Sequence, residues 1–321
     1  MIETDPALEE NFLRVLREST AGDPMRPEVQ WTNLTTVGIS QRLGELGTPA
    51  GRRVVQQLLK RHGYVKRKAR KSKTMGDHPD RDAQFQNIAR LKEQYRAAGQ
   101  PILSIDTKKK EQLGNFYRDG RLFTREAIIV NDHDFASSGA GVIIPHGLYD
   151  VERNRGHINL GLSHDTSEFA CDSVAHWWEL SGRESYPQAR QLLLLCDGGG
   201  SNSATRYVFK EGLQKLADRL NLEIRVAHYP PYCSKYNPIE HRMFPHVTRA
   251  CQGVVFETVA IVRELMERSH TAQGLKVTVD VIDQVYETGR KAAADFKQTM
   301  KLVFDDVLPK WNYRAIPVSR S

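Results

Sequence analysis

One run limits the folds open to this chain more than any other. Leu192, Leu193, Leu194, Leu195 and Cys196 form an unbroken apolar stretch after Gln191, stopped by Asp197 and then Gly198, Gly199 and Gly200. Its length is that of a strand, and it has no polar face, so protein must cover it on both sides. A sheet with helices above and below meets that demand, and the sequence from Pro101 onward supplies the parts. Residues 102–106 are a short β-rich run. Residues 142–151 and 157–163 read as two paired strands turned at Asn154, Arg155 and Gly156. A helix capped by Asp165 or Thr166 runs towards Leu180, another spans about 204–220, and a strand follows over 223–228. A last helix opens at Asn237 and Pro238, with proline in its first turn. Strands alternating with helices predict a mixed α/β sheet flanked by helices.

The N-terminal part has a different grammar. Residues 6–20 place Leu8, Phe12, Leu13 and Leu16 at helical spacing, and Gly22, Asp23, Pro24 and Pro27 make a turn-rich stretch. Helices are expected over about 35–46, ending at Gly47, and 50–62, ending at Gly63. The second has Val54 or Val55, Leu58 and Leu59 on its apolar face and shows Arg52, Arg53, Gln56, Gln57 and Lys60 on the other. Two short helices around a tight turn, the second exposing Arg and Gln, fit a helix-turn-helix that reads DNA bases in the major groove. Gly51 stands where a capping Ser or Thr would suit that helix better.

The formal net charge of +7 has an address. Arg61, Lys66, Arg67, Lys68, Arg70, Lys71 and Lys73 lie together with no acid among them, and the rest of the chain holds 39 basic and 39 acidic residues. Such a tract suits a phosphate backbone, or else is a solvated linker. The expected organisation is a helix-turn-helix region with a basic arm over 1–75, a linker helix over 76–100, and a catalytic domain with a C-terminal extension over 101–321. Apolar residues make up 40% and charged residues 26%, as in a globular chain, and no apolar stretch is long enough for a membrane span. Cys171, Cys196, Cys233 and Cys251 lie far apart without metal-ligand spacing, and no signal pattern opens the chain, so a reduced cytoplasmic protein is expected.

Three acids occupy special places. Asp106 ends the first strand of the α/β region, Asp197 ends the leucine strand, and Glu240 lies in the first turn of the last helix. If the two strands are neighbours, both aspartates leave the sheet at one edge and the helix brings the third carboxylate to them. Clustered carboxylates call for a compensating cation, and hard ions such as Mg²⁺ prefer oxygen ligands. Two such ions can drive an in-line phosphoryl displacement. The glycines after Asp197 leave room for a nucleic-acid backbone. Each acid also has a structural reading as a turn residue, a cap or a dipole partner. Asp132, Asp134, Asp150 and Asp165 are taken as structural or supporting. The Gly-Gly-Gly-Ser turn lacks a nucleotide-binding spacing, Ser201 and Cys233 lack a nucleophile motif, and His133, His146 and His157 fit no zinc spacing.

The segments Ser-Ile-Asp-Thr-Lys-Lys-Lys-Glu (104–111), Cys-Asp-Gly-Gly-Gly-Ser-Asn (196–202) and Tyr-Pro-Pro-Tyr-Cys-Ser-Lys-Tyr-Asn-Pro-Ile-Glu-His (229–241) resemble the DDE transposases of ISAzo-type bacterial insertion sequences, a group similar to Tc/mariner. The blocks at 78–85, 133–135, 164–170 and 311–313 resemble them too. The resemblance implies an RNase H-like fold with Asp106, Asp197 and Glu240 as catalytic residues and as ligands of Mg²⁺ or Mn²⁺, two ions in all. It implies nicking at terminal inverted repeats of double-stranded DNA, then attack of the freed 3′-hydroxyl on target DNA, by a homodimer in the DNA complex. Lys108 and Lys109, beside Asp106, join the expected DNA contacts. Members of the family carry a further helix-turn-helix upstream, so a shortened N-terminus is also expected. The alternatives are a remnant that only binds DNA, and an RNase H-like nuclease or integrase that does not transpose.

Neutralising Lys66, Arg67, Lys68, Arg70 and Lys71 together is expected to weaken duplex binding on every sequence alike. The slope of log affinity against log salt should flatten by about 0.9 for each phosphate that the variant no longer neutralises. Titrations at several salt concentrations decide this, and an unchanged slope makes the tract a linker only.

Overall fold

The computed structural model describes residues 6–23, 26–32, 34–66 and 78–318. They fall into two compact units, Met1–Lys73 and Thr74–Ser321. Arg67, Lys68, Arg70 and Lys71 lie outside the described residues.

In the smaller unit α1 (Pro6–Ser19) is followed by β1 (Thr20–Asp23) and β2 (Arg26–Thr32), then α2 (Thr36–Glu45) and α3 (Arg52–Arg61). The Thr35 hydroxyl accepts a hydrogen bond from the Gly38 amide at 3.1 Å and starts α2. Leu8, Phe12, Val15 and Leu16 pack with Ile39, Leu43, Val55 and Leu58. Spacings of four, seven and eight from Leu8 share one helix face; Leu13 falls off that face and is 38% exposed, so Val15 takes its expected place. The stretch read as turns contains instead an antiparallel strand pair, Thr20 opposite Thr32.

The larger unit begins with α4 (Arg81–Ala97). Then come β3 (Ile102–Thr107), β4 (Glu111–Leu113), β5 (Gly141–Asp150), β6 (Arg155–Gly161), α5 (Ser167–Trp177), α6 (Arg183–Ser185) and β7 (Gln191–Cys196). After these follow α7 (Tyr207–Leu220), β8 (Glu223–His228), α8 (Pro238–Arg242), α9 (Phe244–Ala250), α10 (Val259–Glu267) and β9 (Lys276–Ile282). The last elements are α11 (Phe296–Thr299), β10 (Leu302–Phe304) and β11 (Asn312–Ala315). Nine strands among the described residues make one mixed sheet in the order β10-β11-β8-β7-β3-β5-β6-β9, with β4 beside β5.

β3, β5 and β6 form an antiparallel meander, and β7 and β8 add parallel strands on the other side of β3. This is the expected mixed sheet with helices packed on both faces. Side chains of β7 alternate between two cores. Leu193 and Leu195 face α4, α8, α9 and α10, while Leu192, Leu194 and Cys196 face α5 and α7. Among the described residues no helix is long and apolar enough to cross a membrane.

Two differences from the sequence reading stand out. Residues 81–97 are not set apart as a linker: α4 lays Ile88, Leu91 and Tyr95 on the sheet as part of the larger unit's core. The C-terminal segment, read only as an extension, extends both edges of the sheet. β9 pairs in parallel with β6, and β11 pairs antiparallel with β8.

The blocks at 78–85 and 311–313 meet each other. Gln84 and Asn312, both fully buried, exchange amide hydrogen bonds of 2.9 and 2.7 Å. Gln84 also donates to the His228 carbonyl at 2.9 Å, and Asn312 to the carbonyls of Val307 and Leu308. The His78 and Trp311 rings lie 4.8 Å apart, and Lys310 pairs with Asp80 at 2.9 Å. Losing one amide strands its buried partner. Asn312→Ala is therefore expected to cost roughly 1–3 kcal/mol, with Gln84→Ala similar and the double variant costing less than the sum. Urea unfolding of the three variants checks this, and strict additivity rules out the coupling.

Candidate active site

β3 and β7 run in parallel with Ile102 opposite Leu193, Leu103 opposite Leu194 and Ser104 opposite Leu195. Continuing that register puts Asp106 opposite Asp197, where both strands reach the same edge of the sheet. Strand alternation sends Ser104 and Asp106 to the face that carries α8.

The tie between strand and helix is a pair of side chains to which the sequence reading gave no role. Ser104 donates to the side-chain amide oxygen of Asn237 at 2.5 Å and accepts from the Ile239 backbone amide at 2.9 Å. Asn237 in turn donates to the Ile105 carbonyl at 3.1 Å. All these groups are buried, so the first turn of α8, and Glu240 with it, is held against the end of β3. The signal in the sequence was Asn before Pro at a helix start. It reads as an ordinary cap, yet Asn237 caps nothing with its side chain. Across the sheet Gly147 faces Asp106, and a Cβ there would meet Phe244 at 2.6 Å and Met243 at 2.8 Å. Glycine is what lets α8 and α9 close on the sheet at this point.

The three carboxylates come together. Asp106 lies within hydrogen-bonding reach of the Glu240 carboxyl, and burial followed by the charges of Asp197 and Glu240 pushes it up to about 8. Burial also raises Asp197, with Glu240 and Asp165 adding to the effect and the Gly199 amide opposing it. The charges that bear most on Asp106 are thus both carboxylates, the condition in which acids resist joint ionisation.

The backbone of Asp197 is anchored from below. The fully buried His228 donates from Nδ1 to the Asp197 carbonyl at 2.9 Å and accepts on Nε2 from the Tyr313 hydroxyl at 2.8 Å. Burial pushes the ring down to about 4, which keeps it neutral and fits this tautomer. After Asp197 the chain turns through Gly200 at φ +59°, a conformation costly for most residues.

Asp165 is nearer the cluster than the sequence suggested. It accepts from the Thr107 hydroxyl at 3.2 Å, next to Asp106, and its charge reaches Asp197. Asp150 is structural: it accepts from the Tyr186 hydroxyl and the amides of Glu152 and Arg153 in the turn after β5. Asp132 and Asp134 stand exposed in the irregular segment before β5. An open cavity of about 610 Å³ runs beside Glu240, lined by Lys109, Tyr117, Arg118 and Gln252 among others. Lys109 is exposed, whereas Lys108 is paired with Glu111 at 2.5 Å, a carboxylate that Arg118 also holds at 2.6 Å. In the smaller unit Arg52, Arg53, Gln56, Gln57 and Lys60 are all exposed along α3, and Lys66 is exposed after it.

A carboxyl raised by folding keeps its proton longer in the folded chain than in the unfolded one. The cost of ionising Asp106 is therefore absent below its ordinary 3.8, grows as pH rises, and is complete above about 8. Without divalent cations, Asp106→Asn is expected to flatten this loss and raise the melting midpoint at pH 8, by about 2–4 °C for each 1 kcal/mol relieved. Melts in EDTA at pH 5 and pH 8 check it. A variant melting no higher than the parent at pH 8 removes the repulsion.

Residues 11–317 match the family described as Rhodopirellula transposase DDE domain. No curated protein matches the chain. Among solved structures, the Mos1 transposase paired-end complex with left transposon end is similar at 14% identity and a TM-score of 0.44, over 81% of this chain and 70% of that one. The pre-cleavage Mos1 transpososome is similar at 12% identity and a TM-score of 0.44, over 81% and 71%. The Mos1 mariner paired end complex with Mn is similar at 13% identity and a TM-score of 0.43, over 80% and 69%. With all three acid-bearing blocks inside a match that spans nearly its whole length, the chain belongs to the Rhodopirellula transposase DDE domain family.

Proposed function

We propose that this protein cuts double-stranded DNA at the ends of a mobile element and joins the freed 3′ ends to target DNA. The observation that carries the reading is the meeting of Asp106, Asp197 and Glu240 at one sheet edge, with Asp106 under the charge of both others. Such a group is costly unless a cation binds it. The donors are all carboxylate oxygens, which fits Mg²⁺ or Mn²⁺ better than a soft metal. Asp106, Asp197 and Glu240 would hold the ions, two in the full reading. Bound there, they would supply an activated nucleophile at neutral pH and offset the charge that builds on the phosphate.

The rest of the work belongs to the chain's own residues. Ser104 and Asn237 keep Glu240 in place against β3, and His228 fixes the backbone at Asp197. Gly198, Gly199 and Gly200 present no side chain beyond Cα, so a DNA backbone can approach the carboxylates. Lys109 offers a cation to phosphate beside Asp106.

In the smaller unit α2 and α3 act as a helix-turn-helix. The exposed Arg52, Arg53, Gln56, Gln57 and Lys60 are of the types that bond guanine and adenine edges in the major groove. The tract from Lys66 to Lys71 would follow the phosphates. Joining two element ends requires both to be held at once, which calls for a second copy of the chain in the DNA complex.

Asp197→Asn is expected to abolish Mg²⁺-dependent nicking of a duplex carrying the element ends while duplex binding and its salt dependence persist. Nicking assays and binding titrations on the same preparation check this. Nicking by the variant at the parent rate rejects the assignment, and a parent that binds but never nicks favours a DNA-binding remnant.

A further inference from the structure

A second set of ligand atoms lies away from the three carboxylates, where the edge strand β9 joins the sheet. β6 and β9 pair in parallel with His157 opposite Thr278 and Asn159 opposite Asp280. Ile158 and Leu160, like Val277 and Val279, point into the core on the α8 side. Alternation therefore sends His157, Asn159, Thr278 and Asp280 to the face that carries α5. His176, near the end of α5, comes down on that face with its ring 5.9 Å from that of His157. One ligand atom from each of His157, His176 and Asp280 lies within 4.8 Å of the others.

Three of the separations bracket those that a small tetrahedral ion requires. Zinc bonds of about 2.0–2.1 Å to nitrogen and oxygen require neighbouring donors to sit roughly 3.3 Å apart. His157 Nε2 is 3.2 Å from Asn159 Oδ1 and 3.8 Å from Asp280 Oδ2, and His176 Nδ1 is 2.8 Å from the same Asn159 oxygen. Asn159 cannot turn its amide nitrogen to the histidines, because that group donates to the Ser173 carbonyl at 3.2 Å. An oxygen is thus held between the two imidazoles.

The surrounding contacts are those that metal-binding histidines use. His157 Nδ1 lies 2.9 Å from Thr278 Oγ1, which can itself donate to the Gly156 carbonyl at 3.4 Å. A proton on Nδ1 pointing at Thr278 leaves the Nε2 lone pair for an ion. Asp280 has its other oxygen towards Arg263, 3.8 Å away, which leaves Oδ2 facing His157.

We propose that His157, His176 and Asp280, with the Asn159 side-chain oxygen as fourth donor, bind one Zn²⁺ that clips the edge strand β9 to β6 and α5. The mixed nitrogen and oxygen donors suit zinc, in contrast to the all-carboxylate cluster. Four protein donors would leave such an ion no open position, so the role assigned to the site is structural.

The test uses the full chain with Asp106→Asn and Asp197→Asn, so that the carboxylate cluster no longer binds metal. After EDTA treatment and exchange into micromolar ZnCl₂, elemental analysis is expected to find one zinc per chain, and Co²⁺ in its place should give the visible bands of a tetrahedral ion. His176→Gln and Asp280→Asn, both at partly exposed positions, should each weaken zinc binding at least ten-fold and remove the rise in melting midpoint that zinc produces. Circular dichroism confirms that the variants fold. No retained zinc in the folded background, or equal zinc binding after His176→Gln and Asp280→Asn, overturns the proposal and marks the cluster as hydrogen-bonded polar groups only. Neither result bears on the DNA chemistry proposed for Asp106, Asp197 and Glu240.

Discussion

The parallel pairing of β3 with β7 is the contact on which the candidate site depends. Each strand ends in an aspartate, and only a parallel register brings those two ends to the same edge at the same height. The leucines of β7 hold that register. They are fully buried on both faces, so a slip by one residue would exchange the side chains offered to the two cores and would turn Asp197 away from Asp106. Strand pairing alone does not deliver Glu240. That step falls to Ser104 and Asn237, whose buried hydrogen bonds set the start of α8 over the end of β3.

Holding three acids together works against stability, and the fold supports the arrangement from beneath. His228 fixes the carbonyl of Asp197 and is itself held by Tyr313 of β11. The carbonyl of His228 takes a hydrogen bond from Gln84 of α4, and Gln84 is paired with Asn312. The first helix and last strand of the larger unit are therefore linked, through buried polar contacts, to the backbone that carries a candidate ligand. Such a network is worth its burial only when every member has a partner, so α4 and β11 belong to the support of the site.

Much of the central fold was legible in the sequence because burial leaves a local signature. The unbroken run at 191–196 and the strand at 223–228 match β7 and β8 residue for residue, and Thr166 caps α5 as its residue type suggested. The edges were harder. β9 alternates Val277 and Val279 with polar neighbours, which is a weak strand signal over seven residues, and β11 is only four residues long. Such strands form because an existing sheet offers open edges, and nothing in their own sequence names the partner. α4 was placed apart for the same reason: Ile88, Leu91 and Tyr95 mark an amphipathic helix without saying what it covers.

The sequence by itself determined the kind of layer structure and the candidate acids, since an apolar strand stopped by Asp-Gly-Gly-Gly and a helix opened by Asn-Pro-Ile-Glu carry their meaning locally. Only the tertiary structure decided which groups share a charge environment. It brought Asp165 towards Asp197 through Thr107, committed Lys108 to Glu111, made Ser104 and Asn237 the brace of α8, and gathered His157, His176 and Asp280 from β6, α5 and β9. These groupings join residues up to 133 positions apart. Electrostatic and hydrogen-bonding partnerships act over a few ångströms of space, and the chain's order along its length holds no record of distance once the sheet has folded.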